Sequence, residues 1–190
     1  MNSFFNQPKF ASNLAIPKAF KFAIKALSLI SAKLTLKITS SVFAKPLVFA
    51  TPKRELGMLQ SSQVKKIQIQ GTSKQIQVLS YGFSDKKVLL AHGWSGRSTQ
   101  LYMIANYLLE QGYMVISFDA PAHGSSSGKS TNLIEFIEAV KTIHNEYGPF
   151  DAAVGHSFGG MVLMNVQAEC SAFKCLVTVG AADKVSKIFF

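Results

Sequence analysis

The sequence predicts an α/β protein whose sheet is mostly parallel and covered by helices on both faces. From residue 86 onward, short apolar runs typical of buried strands alternate with segments of helical spacing. Such alternation indicates right-handed crossovers between parallel strands. One apolar run, "DAAVGHS" at 151–157, leads directly into a serine enclosed by glycines. The 190 residues, 48% of them hydrophobic, suffice for one domain with a sizeable core.

The basic residues of the chain are concentrated at its N-terminus. Residues 1–54 hold eight Lys and one Arg without an acid, whereas residues 55–190 hold eleven basic and ten acidic residues. A nucleic-acid site needs basic residues built into its binding surface. Since the body is nearly neutral, we expect no nucleic-acid partner.

Residues 1–55 are predicted to form an amphipathic leader helix and a linker, and residues 56–190 the folded domain. Lysines interrupt the segment 14–50, so its uncharged runs of about seven residues are too short to span a bilayer, which takes ~20. On a helical wheel, one side collects apolar residues and the other collects lysines: Phe20, Ile24, Leu27, Ile30, Leu34 and Ile38 against Lys18, Lys21, Lys25 and Lys33. This pattern fits either peripheral contact with an anionic membrane or packing on the domain or a partner.

After the leader, the sequence predicts an antiparallel hairpin and then the parallel part of the sheet. "VKKIQIQ" and "KQIQVLSY" alternate apolar and polar residues around "GTS", which is typical of a hairpin with one solvated face. The remaining elements follow in order: strands within 86–93, 113–124, 150–157 and 174–183, and helices within 98–112, within 131–148 and from near residue 157.

Three motifs stand at the ends of three predicted strands, where parallel sheets gather their chemistry. They are "HGWSG" at 92–96, "DAPAHGSS" at 119–126, and the G-x-S-x-G match of Gly155, Ser157 and Gly159. Together and in this order they resemble the α/β-hydrolase family, over roughly residues 60–190. The resemblance implies the α/β-hydrolase fold with its C-terminal third missing.

The resemblance also implies a site for acyl transfer. A serine hydroxyl is a poor nucleophile, so the fold must expose it, supply a base and stabilise the oxyanion. Ser157 would be the nucleophile, and the backbone N–H groups of Trp94 and Phe158 would form the oxyanion hole. His92, Gly93, Gly155 and Gly159 would support the motif. A small-molecule ester, thioester or amide is the implied substrate, with no cofactor and no metal.

The sequence departs from the family pattern after the serine. The family places an acid and then a histidine downstream of the nucleophile, but only Glu169 and Asp183 follow as acids, and no histidine follows. We therefore expect the chain to be truncated after its sixth strand and inactive as it stands. The strand "KCLVTVGA" would form an exposed apolar edge that lowers solubility. The alternative is a non-catalytic binding module of the same fold.

The location of the protein is predicted to be cytoplasmic. The chain has no N-x-[ST] glycosylation acceptor and only two cysteines, Cys170 and Cys175, too few for a disulfide framework. The alternative location is the inner face of a membrane, reached through the leader helix. His156 is expected to face into the structure as a hydrogen-bonded residue and to project away from its neighbour Ser157, since adjacent strand residues point to opposite faces.

Overall fold

A computed structural model describes residues 17–182 of the chain. The chain divides into two compact units, Met1–Val42 and Phe43–Phe190. Residues 43–55, expected as the end of the leader and the linker, therefore lie within the second unit. They include a short 3₁₀ helix, Lys53–Glu55, which leads into helix α3, Leu56–Gln60.

The leader is helical, but it is divided into two helices. Helix α1 spans Lys18–Ile30 and helix α2 spans Ala32–Phe43. Between them Ser31 has an extended backbone, with φ −155° and ψ 105°. The Ser31 Oγ accepts a hydrogen bond from the N–H of Leu34 at 3.2 Å, which is the contact of an N-cap residue. The wheel pattern does not reveal this break, because serine is tolerated within a helix and also starts one.

The second unit contains one six-stranded sheet in the order β1-β2-β4-β3-β5-β6. The pairs β1–β2 and β2–β4 are antiparallel, whereas β4–β3, β3–β5 and β5–β6 are parallel. The predicted hairpin and the predicted parallel part are thus both confirmed. The strands are β1 Ser62–Gln68, β2 Gln75–Tyr81, β3 Lys87–Ala91, β4 Met114–Asp119, β5 Phe150–His156 and β6 Phe173–Val179.

Helices cover both faces of the sheet, as the alternating pattern predicts. Helix α4, Tyr102–Glu110, packs on the face that carries Val88 and Leu90. Helices α5, Leu133–Tyr147, and α6, Phe158–Cys170, pack on the opposite face with the alternate residues Leu89 and Ala91. Burial on both faces explains why the parallel strands are continuous apolar runs rather than alternating ones.

Strand β6 lies at the edge of the sheet within the described residues 17–182. It pairs with β5 on one side, and Cys175, Val177 and Val179 are exposed along it. Over the same described range, none of the helices is long and apolar enough to cross a membrane.

Candidate active site

Ser157 occupies the corner between strand β5 and helix α6. Its backbone has φ 52° and ψ −118°, a combination that costs a residue with a Cβ about 1–3 kcal/mol. The surrounding structure holds it there, because the Ser157 N–H donates to the carbonyl of Val179 at 2.8 Å and the Ser157 carbonyl accepts from the N–H of Met161 at 3.2 Å. Strain of this kind is typical of functional corners.

The glycines around Ser157 are required by close backbone approach. A Cβ at Gly155 would lie 2.5 Å from the Cα of Gly160, and a Cβ at Gly159 would lie 2.5 Å from the carbonyl oxygen of Ala91. Real Cβ atoms essentially never come within 3.0 Å of such atoms. Both positions therefore admit only glycine, and helix α6 can start directly against the ends of β3 and β5.

The loop 92–96 faces this corner. A Cβ at Gly93 would lie 3.2 Å from the Cβ of Ser157, so the loop backbone and the serine are in close proximity. The ring of the next residue, Trp94, packs edge-on against the ring of Phe158, with 5.3 Å between centroids. The structure therefore brings together Ser157, Trp94 and Phe158, which the sequence resemblance groups as nucleophile and oxyanion-hole residues.

Ser157 opens onto an apolar cavity of about 280 Å³. The Trp94 indole forms one wall and stacks on the ring of Phe43, with centroids 5.6 Å apart and planes 8° from parallel. Among residues 17–182, none of the residues that line it is charged: they are Phe43, Trp94, Ser157, Phe158, Met161, Gly180 and Ala182.

His92 links the loops that follow strands β3 and β4, and both of its ring nitrogens are hydrogen-bonded there. Its Nδ1–H donates to the Gly93 carbonyl at 2.7 Å, and its Nε2 accepts from the N–H of Ala120 at 3.1 Å. Burial, helped by the proximity of His123, lowers the pKa of His92 to about 3. The ring is therefore neutral at pH 7 and shapes the loop rather than carrying a proton.

His123 holds the same two loops together from the other side. Its Nε2 accepts from the N–H of Ser95 at 3.0 Å, and its Nδ1–H donates to the carbonyl of Pro121 at 3.0 Å. Burial lowers its pKa, and the Pro121 carbonyl and the Asp119 carboxylate oppose that shift only in part. Neither His92 nor His123 has a ring nitrogen left for Ser157.

Asp119 organises the loops that begin at the ends of β3 and β4. Its Oδ1 accepts from the N–H of Ser98 at 2.6 Å, and its Oδ2 accepts from the N–H of Ser125 at 2.8 Å. The carboxylate is buried, and these backbone donors compensate its loss of solvation. Asp119 thus fixes the shape of the loops and has no contact with Ser157.

His156 precedes Ser157 but is not hydrogen-bonded to it. Its Nδ1 is buried and has no hydrogen-bond partner among residues 17–182, which differs from the hydrogen-bonded role expected for it. Over the same residues, no imidazole is hydrogen-bonded to the Ser157 hydroxyl, and no cluster of three or more His, Cys, Asp or Glu side chains is placed to hold a metal ion.

Sequence reasoning missed a buried ion pair that anchors the loop beyond Trp94. The Arg97 guanidinium donates to both carboxylate oxygens of Glu55, at 2.6 and 2.8 Å, and the Thr99 hydroxyl donates to the same carboxylate at 2.7 Å. Burial of Glu55 favours a higher pKa, but the hydrogen bonds from Arg97 and Thr99 and the guanidinium charge outweigh it, so the pKa is lowered. No local pattern links residues 42 positions apart.

A comparison with models of protein families shows to which family the chain belongs. The family model described as alpha/beta hydrolase fold matches residues 86–188, more than half of the chain. The chain belongs to the α/β-hydrolase family. The match spans all three motifs of the chain, from the loop around Trp94 to the corner at Ser157. None of the curated protein sequences matches it significantly.

Solved structures of similar fold include a thioesterase and two esterases. The thioesterase domain from the curacin biosynthetic pathway is 25% identical, with a TM-score of 0.58 over 67% of this chain and 50% of that one. An esterase from Pyrococcus furiosus is 23% identical, with a TM-score of 0.60 over 73% of this chain and 57% of that one. An esterase from Exiguobacterium antarcticum is 24% identical, with a TM-score of 0.57 over 64% and 46%. The chain thus spans about half the length of these structures.

Proposed function

We propose that this hydrolase performs acyl transfer on an ester, thioester or amide, with Ser157 as its nucleophile. The strained corner at Ser157 supports this most directly, because neither a strand nor a helix needs a serine at φ 52°. The proposal also draws on the 25% identity with the curacin thioesterase domain. It needs no cofactor and no metal, because a positioned hydroxyl, a base and oxyanion donors suffice for acyl transfer.

In the proposed reaction the Ser157 Oγ attacks the carbonyl carbon of the substrate. The Oγ–C bond forms, the hydroxyl proton passes to a base, and the carbonyl oxygen becomes an oxyanion. The N–H groups of Phe158 and Trp94 would bind this oxyanion. Phe158 is the first residue of α6, so its N–H has no acceptor within the helix and lies at the positive end of the helix dipole. The leaving group then departs, and water releases the acyl group from the serine.

The cavity next to Ser157 favours an apolar acyl group. Within the described part of the chain, its volume of about 280 Å³ is lined mainly by aromatic and apolar side chains and by no charged residue. A carboxylate or ammonium group placed there would lose its hydration without gaining an ion partner. We therefore propose neutral, apolar acyl chains as the substrate class.

The base that would take the Ser157 proton is the missing component. No histidine follows Ser157 in the sequence, and Glu169 lies on α6, where it is paired with Lys141. In a well-studied protease the loss of the base alone reduces turnover by ~10⁶. We propose that this 190-residue chain carries the nucleophile and the oxyanion donors but turns over slowly or not at all. Its cytoplasmic location also stays a prediction.

Labelling with a fluorophosphonate probe tests the proposal. Ser157 Oγ would form a bond to phosphorus with loss of fluoride, which intact-protein mass spectrometry and peptide mapping detect. We expect slow, stoichiometric labelling at Ser157, faster labelling when imidazole is added as an external base, and negligible turnover of p-nitrophenyl acetate.

The control variants are Ser157→Ala, which should abolish labelling and its response to imidazole, and Ser125→Ala, which should change neither. Labelling that is absent with and without imidazole would reject the nucleophile and favour the non-catalytic binding module. Robust p-nitrophenyl acetate turnover that is lost in Ser157→Ala would retain the nucleophile but contradict the expected inactivity.

A further inference from the structure

We infer that the two helices of the leader, over residues 18–42, bind the surface of an anionic lipid bilayer. None of the side chains of α1 and α2 is buried. Both helices therefore expose large apolar side chains to the surroundings. It also carries a charge that selects one kind of partner.

The charge of the leader is entirely positive. Helices α1 and α2 contain no acidic residue and five lysines: Lys18, Lys21, Lys25, Lys33 and Lys37. Each lysine near an anionic leaflet contributes about 1 kcal/mol of attraction. None of these lysines forms an ion pair within residues 17–182, so their charge is available to an external anionic surface.

Large apolar side chains accompany these lysines. On the apolar side of the helical wheel, Phe20 is 40% exposed, Ile30 is 82% exposed and Leu34 is 44% exposed. An isolated polyanion such as a nucleic acid would pair with the lysines but would not bury these groups. A bilayer interface satisfies both, since apolar side chains enter the acyl boundary while lysine stems extend to the headgroups.

Three hydroxyl groups of the helices donate hydrogen bonds within their own helix or turn. The hydroxyls of Ser28, Thr35 and Thr39 donate to backbone carbonyls of the preceding turn at 2.7, 2.9 and 2.8 Å. Ser and Thr side chains bonded in this way bring no unpaired donor into an apolar environment. These residues can therefore lie in the interface beside the leucines and phenylalanines.

The lengths of the helices indicate binding in the plane of the membrane. Helix α1 has 13 residues and α2 has 12, so each is roughly 20 Å long at 1.5 Å per residue. That is shorter than the ~30 Å hydrocarbon core. The break at Ser31 lets each helix turn its own apolar side toward the surface.

Vesicle co-sedimentation of the full chain tests the inference. We expect binding to phosphatidylcholine vesicles that contain phosphatidylglycerol, weak or no binding to pure phosphatidylcholine, and loss of binding at high salt. Replacing Lys21, Lys25 and Lys33 by Gln should weaken partitioning by roughly 100-fold, from about 1 kcal/mol per lysine. The matched variant with Lys66, Lys86 and Lys129 replaced by Gln removes the same charge from exposed positions of the second unit and should bind as the parent does.

A second pair of variants tests the apolar contribution. Phe20→Ser, Ile30→Ser and Leu34→Ser combined should abolish binding, because these residues form the exposed apolar side of the two helices. The control combines Phe83→Ser, Met103→Ser and Ile134→Ser, whose side chains are 85%, 70% and 71% exposed, and should leave binding intact. The inference is overturned if the chain binds neutral vesicles as tightly as anionic ones, or does not bind anionic vesicles at low salt. It is also overturned if the leader variants weaken binding no more than their controls, or if the leader serine variant binds as tightly as the parent. Ser157 labelling is a separate readout, so failure here leaves the proposed function standing.

Discussion

Gly159 is the residue at which backbone packing is tightest beside the proposed nucleophile. A Cβ there would meet the carbonyl oxygens of Ala91 and His92, both in fixed backbone at the end of β3. Side chains can rotate away from a clash, but these backbone groups cannot move without shifting the strand or the helix. The position therefore couples the stability of the fold to the geometry of the corner.

We predict that Gly159→Ala destabilises the protein by about 3 kcal/mol, since a methyl group is forced against rigid backbone. The control is Gly57→Ala, whose added Cβ meets nothing within 4 Å and should stabilise helix α3 by about 0.5–1 kcal/mol. Urea unfolding of both variants measures the difference. A Gly159→Ala protein as stable as the parent would show that the helix and strand can separate at little cost.

His92 makes the stability of the second unit depend on pH. Its folded-state pKa of about 3 lies below the ordinary value of 6.5, so the unfolded chain binds the proton more readily. The stabilisation is complete above the unfolded pKa and is lost as pH falls from that value toward 3. We predict a loss of about 1.3 kcal/mol in unfolding free energy between about pH 7.5 and pH 5.5 from this residue.

The measurement that tests the role of His92 is the change of the unfolding free energy with pH, rather than its value at one pH. In His92→Gln the amide can still bond to the Ala120 N–H, but it does not titrate. Unfolding free energies measured across this pH range should therefore change less steeply than in the parent. An unchanged slope would mean that His92 binds a proton equally well in both states.

At the scale of elements, the two edge strands of the described sheet differ in how they resist self-association. Strand β1 carries Lys65 and Lys66 on its exposed length, whereas β6 exposes Val177 and Val179. Charged edge residues oppose pairing with another sheet, and apolar ones permit it. Val177 and Val179 are 46% and 48% exposed, so these apolar side chains stay in contact with solvent.

We predict that Val177→Lys combined with Val179→Lys reduces concentration-dependent association of the chain, measured by light scattering at neutral pH. The control for each single β6 variant is Val64→Lys, which places the same charge at an exposed valine of β1 and should have little effect because that edge is already charged. If Val64→Lys improves solubility as much as a single β6 variant, net charge rather than the β6 edge controls association.

The elements themselves were predictable wherever one pattern dominated a segment. Period-two alternation located the hairpin β1–β2, and continuous apolar runs located β3 to β6. The leader was predicted as helical but not as two helices, since the break at Ser31 depends on a single side chain capping the next helix. Residues 43–55 were expected to belong to the leader and linker because their prolines and charges resemble a connecting segment.

At the scale of the whole molecule, the candidate site is assembled from distant parts of the chain. Phe43, the loop at Trp94 and the corner at Ser157 line one cavity, although more than a hundred residues separate the first from the last. Loop shape depends on His92, His123 and Asp119, which bridge strand ends through backbone hydrogen bonds. The three motifs identified the family, but their sequence order alone did not show these bridges.

The sequence by itself determined the alternation of strands and helices, the glycine-enclosed serine and the family of the chain, because periodicity and motif spacing are local properties of the chain. Tertiary structure alone decided the pairing of Glu55 with Arg97, the protonation of His92 and the role of Phe43 in the cavity wall. Each of these depends on which distant groups meet and how much water they exclude. Burial and long-range contacts cannot be read from a local stretch of sequence, because they form only when distant parts of the chain pack together.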